Sequence, residues 1–211
     1  MARCVIISAC TVQPELKRLL RADDFIIACD AGYRNCEVLG CRPNIIVGDF
    51  DTAPCPQQDD DDIVVLPHVK DDTDTEYAAK LATEKGFDEV LLLGVLGGRR
   101  MEHTLANLCT GLGLEERGAR ATLQDERPRI TFIRPGESRR YPKAEYFYLS
   151  VFPLEGRAEG VCERGSFYEL TDAVLTAGYP LGVSNEYAEG SDCITISTRT
   201  GALVVVETLP D

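Results

Sequence analysis

The first 120 residues alternate between short apolar runs and segments of helical period, and few folds accept that pattern. The runs are CVIISA (4–9), FIIACDAG (25–32), NIIVGD (44–49), IVVLP (63–67) and EVLLLGVLGG (89–98). They are rich in Ile and Val and nearly continuous, as strands buried on both faces are. Between them lie PELKRLLRA (14–22), TDTEYAAKLATEKG (73–86) and MEHTLANLCTGLGLEERG (101–118), which read as helices. The second of these is bounded by a capping box, Thr73 with Glu76, and by Gly86 as a stop. Alternating strands and helices imply α/β architecture: an open parallel sheet with helices on both faces. Ligands of such sheets bind beyond the carboxyl ends of the strands.

The pattern changes near residue 120. Helical period disappears, and YFYLSVFPL (146–154), SFYELT (166–171), DAVLTAG (172–178) and DCITISTRTGALVVVET (192–208) read as strands separated by Gly, Pro and Asn turns. Ser197 to Gly201 reads as a hairpin turn inside the last of them. The expected division is an α/β domain at 1–125 and an all-β domain at 126–211.

Composition excludes several classes of function. The net charge of −13 argues against general nucleic-acid binding, which depends on Lys and Arg neutralising phosphates. No apolar stretch approaches the roughly 18–20 residues that span a bilayer. The start, MARCVIISACTVQPEL, lacks the pattern of a signal peptide, so a cytoplasmic protein is expected. Nine scattered cysteines without a CxxC, and only two histidines, argue for reduced thiols and against a zinc site. The acid run QQDDDD (57–62) reads as a solvated loop.

The chemistry-bearing residues fall at strand ends. Asp30 and Gly32 follow FIIAC, Asp49 and Asp51 follow NIIV, and His68, Lys70, Asp71 and Asp74 follow IVVLP. Gly94, Gly97, Gly98, Arg99 and His103 follow EVLLL. If the strand through NIIVGDFD persists to 51, Asp49 and Asp51 share a face and Phe50 points away. Several carboxylates on one sheet edge repel unless a cation sits among them. Oxygen ligands suit Mg²⁺, which commonly bridges to substrate phosphates. GVLGGRRMEHTLAN (94–107) adds a glycine-rich turn entering a helix, a setting for an anion, with arginines as phosphate donors. It is not a Walker loop, because GxxxxGK[ST] is absent. Together these features point to a nucleotide–Mg²⁺ complex and transfer of a phosphorus group.

Four blocks, CDAGYRNCEVLGCRPNIIVGDFDT (29–52), KDDTDTEYA (70–78), GVLGGRRMEHTLANL (94–108) and GYPLGVSNEY (178–187), resemble the signatures of the thiamine pyrophosphokinase family, in order and at suitable spacing. The resemblance covers nearly the whole chain and implies an α/β catalytic domain followed by a thiamine-binding β-sandwich. It implies transfer of the β,γ-diphosphate of ATP to the hydroxyl of thiamine, giving thiamine diphosphate and AMP, with Mg²⁺. The metal would fall to Asp49, Asp51 and Asp74, with Asp30 and Asp71 nearby. ATP would fall to Asp30, Lys70, Thr73, Gly97, Gly98, Arg99, Arg100, His103 and Thr104. Thiamine would fall to Ser184 and Asn185, with Tyr179 stacking on a ring. Asp71 or Asp74 would accept the hydroxyl proton. The family works as a homodimer, with each site between the α/β domain of one subunit and the β domain of the other.

Four departures stand out. GGRxDH of the family reads GGRRMEH here, with one residue inserted, which leaves open whether Arg99 or Arg100 is the match, and Glu102 replaces Asp. Ala31 stands in a DAG where DGG is usual, and the chain has no Trp, which some members use near thiamine. The competing readings are a pyrophosphokinase of the same fold acting on a hydroxymethyl-pterin, and a thiamine or nucleotide sensor without catalysis. A third is a haloacid-dehalogenase-type phosphohydrolase, whose DxDx[TV] motif DFDT resembles but Ala53 breaks.

Overall fold

The computed structural model describes residues 3–50, 62–67 and 71–209. Asp51, His68 and Lys70, three of the residues singled out above, lie outside them. The chain forms two compact units that divide between Glu126 and Arg127. Among the described residues no helix is long and apolar enough to cross a membrane.

The first unit carries strands β1 (Cys4–Ile7), β2 (Phe25–Cys29), β3 (Ile45–Gly48), β4 (Asp62–Val65), β5 (Glu89–Leu93) and β6 (Arg120–Gln124). Its helices are α1 (Gly32–Leu39), α2 (Asp74–Glu84) and α3 (Met101–Glu116). The strands are parallel and lie in the order β6-β5-β1-β2-β3-β4. Val5, Ile7, Ile26, Ala28, Ile46, Leu91 and Leu93 form one apolar face with Leu16, Cys36 and Leu39. Alternation leaves the buried Cys4, Ile6, Ile27 and Cys29 for the other face, where α2 packs and buries Ala78, Ala79 and Ala82. The chain runs outward from β1 to β4, then returns through α2 to β5 on the other side of β1. The strand order therefore reverses between β1 and β5, the place where open α/β sheets hold their ligands.

The expected helix at 14–22 is instead a short 3-10 helix, Pro14–Leu19. The helix α1 is absent from the sequence reading, which carried strand character through to Gly32. It starts where only glycine fits: a Cβ on Gly32 would sit 2.0 Å from the Ile7 carbonyl oxygen. The capping box at α2 is half-formed. Thr73 Oγ1 accepts from the Glu76 amide at 3.1 Å, while the Glu76 carboxylate turns to Arg117 at 3.0 Å.

The second unit holds β7 (Pro128–Ile133), β8 (Ser138–Pro142), β9 (Tyr148–Pro153), β10 (Arg157–Arg164), β11 (Leu170–Thr176), β12 (Gly182–Asn185), β13 (Cys193–Ser197) and β14 (Leu203–Thr208). They form two antiparallel layers, β12-β9-β14-β7 and β11-β10-β13-β8. Ile133, Leu149, Val151, Leu203 and Val205 from one layer meet Val161, Leu175, Ile194 and Ile196 from the other in a single core, as in a β-sandwich. The hairpin expected at 197–201 is not one. β13 pairs with β8 and β10, and β14 with β7 and β9, so the turn carries the chain between layers. Both strands bury alternate residues in the same core, a pattern a hairpin shares. The segment 166–171, expected as a strand, is mostly the turn between β10 and β11.

Candidate active site

The exits of β1 and β5 are tied together. Ser8 N donates to Leu93 O at 2.9 Å and Cys10 N to Gly94 O at 3.0 Å. Gly94 has φ +64°, and a Cβ there would lie 2.6 Å from Ser8 O and 2.8 Å from Cys10 O, so no side chain is accommodated. Gly97 and Gly98 also have positive φ, 71° and 77°, and turn the chain into α3. The α3 N-cap residue, Arg100, makes no side-chain capping bond. The start of a sixteen-residue helix thus opens onto a glycine turn at the point of strand reversal, with one first-turn amide, His103 N, already donating to Arg100 O at 3.0 Å. Thr104 Oγ1 donates to Gly97 O at 3.3 Å and fastens the helix to the turn. His103 is half-buried in the first turn of α3.

The two arginines differ. Arg100 Nε donates to Glu102 Oε1 at 2.7 Å, and this bond, more than any other influence, lowers the Glu102 pKa. Arg99 is exposed and makes no ion pair among the described residues.

The carboxylates gather one strand further on. Asp30 follows β2 with φ +47°, and its amide donates to Val47 O at 2.7 Å. Gly48 permits that approach, since a Cβ on it would come 3.0 Å from Asp30 Cα. Asp49 follows β3 and is half-buried. Asp74 opens α2, and its carbonyl accepts from Cys29 Sγ at 3.6 Å. Asp30 and Asp74 each bury an Oδ1. The Cys29 thiol reports their proximity: burial pushes its pKa far up, and the charges of Asp74 and Asp30 add to the rise. Ser8 joins both halves of the edge, because its hydroxyl shares a 2.7 Å hydrogen bond with Thr75 Oγ1 beside Asp74. Asp71 is exposed just before α2, and Thr73 is occupied as the α2 cap.

The alternation argument for Asp49 and Asp51 does not carry over. β3 ends at Gly48, and Phe50 turns left-handed at φ +54° to pack on the apolar face. Among the described residues no group of three or more His, Cys, Asp or Glu side chains has metal-holding geometry, and Asp51 of the expected trio lies outside them. The donor chemistry of Asp30, Asp49 and Asp74 is nonetheless all carboxylate oxygen, which fits a hard divalent cation.

Three residues of this edge were missed. Asn35 Nδ2 donates to Ser8 O at 2.6 Å and Cys10 O at 2.8 Å, and Asn107 Nδ2 donates to Val95 O at 2.7 Å. Both are buried amides inside helices, where a short polar residue needs a specific partner, and that was the available signal. Asp125, just past β6, is pushed up to about 6, chiefly by burial, and the nearby Cys10 thiol is raised by burial first and then by the Asp125 charge.

In the second unit Tyr179 is two-thirds exposed, with its amide donating to Thr176 O at 3.1 Å. Ser184 is exposed with φ +56°, and its amide donates to Ser150 Oγ at 2.9 Å. Asn185 is buried, and its amide is fully engaged. Nδ2 donates to Glu163 Oε1 at 2.7 Å and Tyr168 O at 2.8 Å, and Oδ1 accepts from Tyr168 N at 3.0 Å and Glu186 N at 3.1 Å. The Asn185 side chain thus shapes the turn. The exposed groups beside it are Ser184, Val183 and the edge-to-face pair Phe167–Tyr168, centroids 4.9 Å apart.

Comparison with known proteins gives concordant findings. Residues 16–123 match the family model described as thiamin pyrophosphokinase, catalytic domain, and residues 139–203 match thiamin pyrophosphokinase, vitamin B1 binding domain. A curated relative, thiamine pyrophosphokinase of Bacillus subtilis (strain 168), is 28% identical over 137 residues, which is 65% of this chain and 63% of the relative. The matched stretch is thus under two thirds of that relative's length. The crystal structure of thiamine pyrophosphokinase from Bacillus subtilis superimposes with a TM-score of 0.87 at 23% identity, covering 99% of this chain and 100% of that one. That of thiamin pyrophosphokinase from Geobacillus thermodenitrificans gives 0.86 at 24%, covering 100% and 99%.

Proposed function

The chain belongs to the thiamine pyrophosphokinase family, and from that premise we propose that it moves the β,γ-diphosphate of ATP onto the hydroxyl of thiamine. The products are thiamine diphosphate and AMP, and the working form is a cytoplasmic homodimer. The observation that carries the reading is the α3 N-terminus, uncapped by a side chain, on the Gly94–Gly98 turn, joined through Ser8 to the Asp30 and Asp74 edge.

In the reaction the thiamine oxygen bonds to the β-phosphorus, and the bond from that phosphorus to the α–β bridging oxygen breaks. AMP leaves with the bridging oxygen. The first-turn amides of α3 and the Gly97–Gly98 turn receive the triphosphate. Arg99 neutralises charge that builds toward AMP, while Arg100 stays with Glu102. Asp30, Asp49, Asp51 and Asp74 are the residues that would hold Mg²⁺. Bound there, Mg²⁺ supplies charge neutralisation at the phosphate oxygens. Asp71, exposed at the same edge, accepts the hydroxyl proton. Ser184 and the exposed rings of the second unit take thiamine.

The test is incubation with ATP, MgCl₂ and thiamine, followed by chromatography. AMP and thiamine diphosphate in equal amounts are expected. ADP or orthophosphate as the product would contradict the reading.

A further inference from the structure

We propose that Glu163 is a positioning residue of the thiamine subsite, acting through Asn185 to fix the β10–β11 turn and its Phe167–Tyr168 pair beside Ser184 of β12. The inference rests on the thiamine reading above and deepens it.

Glu163 lies in β10, between Leu170 of β11 and Ile196 of β13, and is 1% exposed. An apolar residue would fill this place without the cost of burying a carboxyl group. What an apolar residue cannot supply is the 2.7 Å acceptor for Asn185 Nδ2. Asn185 in turn holds the backbone of Tyr168 at both its amide and its carbonyl, and the amide of Glu186. Phe167 N donates to Glu186 O at 2.8 Å, closing the connection between the two segments. The Asn185 side chain thus makes three of the bonds that hold the turn carrying the aromatic pair against the end of β12.

An amide can be turned end for end, and its partners decide the orientation. Glu163 Oε1 accepts from the Nδ2 end of Asn185, the same orientation that the Tyr168 and Glu186 backbone partners require. The other oxygen, Oε2, is buried near the Ser166 hydroxyl. Burial pushes the carboxyl up to about 7, opposed by the nearby Ser166 hydroxyl and the Asn185 hydrogen bond and aided by the Glu169 charge. Oε1 accepts from Asn185 in either protonation state, so the neutral mimic glutamine keeps the bond.

The experiment compares wild type, Glu163→Gln and Glu163→Met in thiamine titration calorimetry and in steady-state kinetics. Glu163→Met keeps the volume and loses the acceptor, and Glu163→Leu replaces it if it does not fold. The expected result is a thiamine Kd and KM raised about tenfold in Glu163→Met, with KM for ATP and kcat held within about twofold. Glu163→Gln restores both thiamine constants. Folded Glu163→Met with wild-type thiamine Kd and KM would overturn the inference, as would Glu163→Gln failing alongside it. Wild type that neither binds nor converts thiamine would overturn the parent reading and this one with it.

Discussion

The glycine turn ahead of α3 and the Ser184–Asn185 end of β12 both contain a positive-φ residue, yet they are built in opposite ways. In the first, the backbone itself is bared. Gly94, Gly97 and Gly98 bend it, and the α3 amides open onto it with no side-chain cap. In the second, the polar side chain of Asn185 uses all of its hydrogen-bonding capacity on the protein, and the exposed groups are mostly rings and aliphatics. A turn that must receive an anion keeps its amides available. A turn that must present a shaped surface consumes them. The difference fits the proposed function, in which the sheet edge would handle phosphate and charge and the sandwich a flat organic cation.

Chelation tests that division most severely. EDTA is expected to lower AMP release on the order of 10³-fold, reversed by Mg²⁺. It is expected to leave the sandwich's melting behaviour unchanged, so loss of sandwich structure on chelation would break the comparison.

The buried Glu163 gives the sandwich its own pH signature. Its pKa is raised from the ordinary 4.5 to about 7. The folded state then holds the proton more tightly than the unfolded state, so stability falls as pH rises from about 4.5 to 7 and is level above. The fall is on the order of 3 kcal/mol at most. Asp125, raised to about 6, gives the first unit a fall of the same sign at lower pH. Urea melts of wild type and Glu163→Gln across this range are expected to show the smaller fall in the variant. Parallel profiles would remove Glu163 as its source.

At the edge, Gly94→Ala places a Cβ at positive φ against two carbonyl oxygens. A loss of about 2 kcal/mol in urea unfolding is expected, with a higher KM for ATP. The arginine pair gives the smallest effect. Arg99→Ala is expected to raise KM for ATP about tenfold, while Arg100→Ala changes it less than about twofold. Equal effects would show that the Arg100–Glu102 pair does not set the two apart.

The parallel sheet was legible because buried strands leave continuous Ile and Val runs, and because the ends of those runs carry the Asp and Gly residues. Helix α1 was not, since its sequence GYRNCEVL opens with a glycine whose reason is a tertiary one, the Ile7 carbonyl. The Ser197–Gly201 turn looked like a hairpin because inward alternation is the same whether two strands share a layer or face each other across a core. Alternation puts Asp49 and Asp51 on one face only if the strand continues, and the end of β3 at Gly48 with the left-handed Phe50 beyond it has no local sequence signal. Asn185 was found by its block, but the burial of its amide against Glu163 was not. Only the positions of Glu163, Tyr168 and Glu186 show that its amide faces inward.

Asp74→Asn, assayed for both thiamine affinity and AMP release, tests the division most directly. The side chain keeps its shape at the start of α2 and loses one charge at the Asp30 edge. The expected result is AMP release lowered on the order of 10²–10³-fold, with thiamine Kd within about twofold of wild type. Wild-type AMP release from this variant would contradict the assignment of charge handling to the sheet edge.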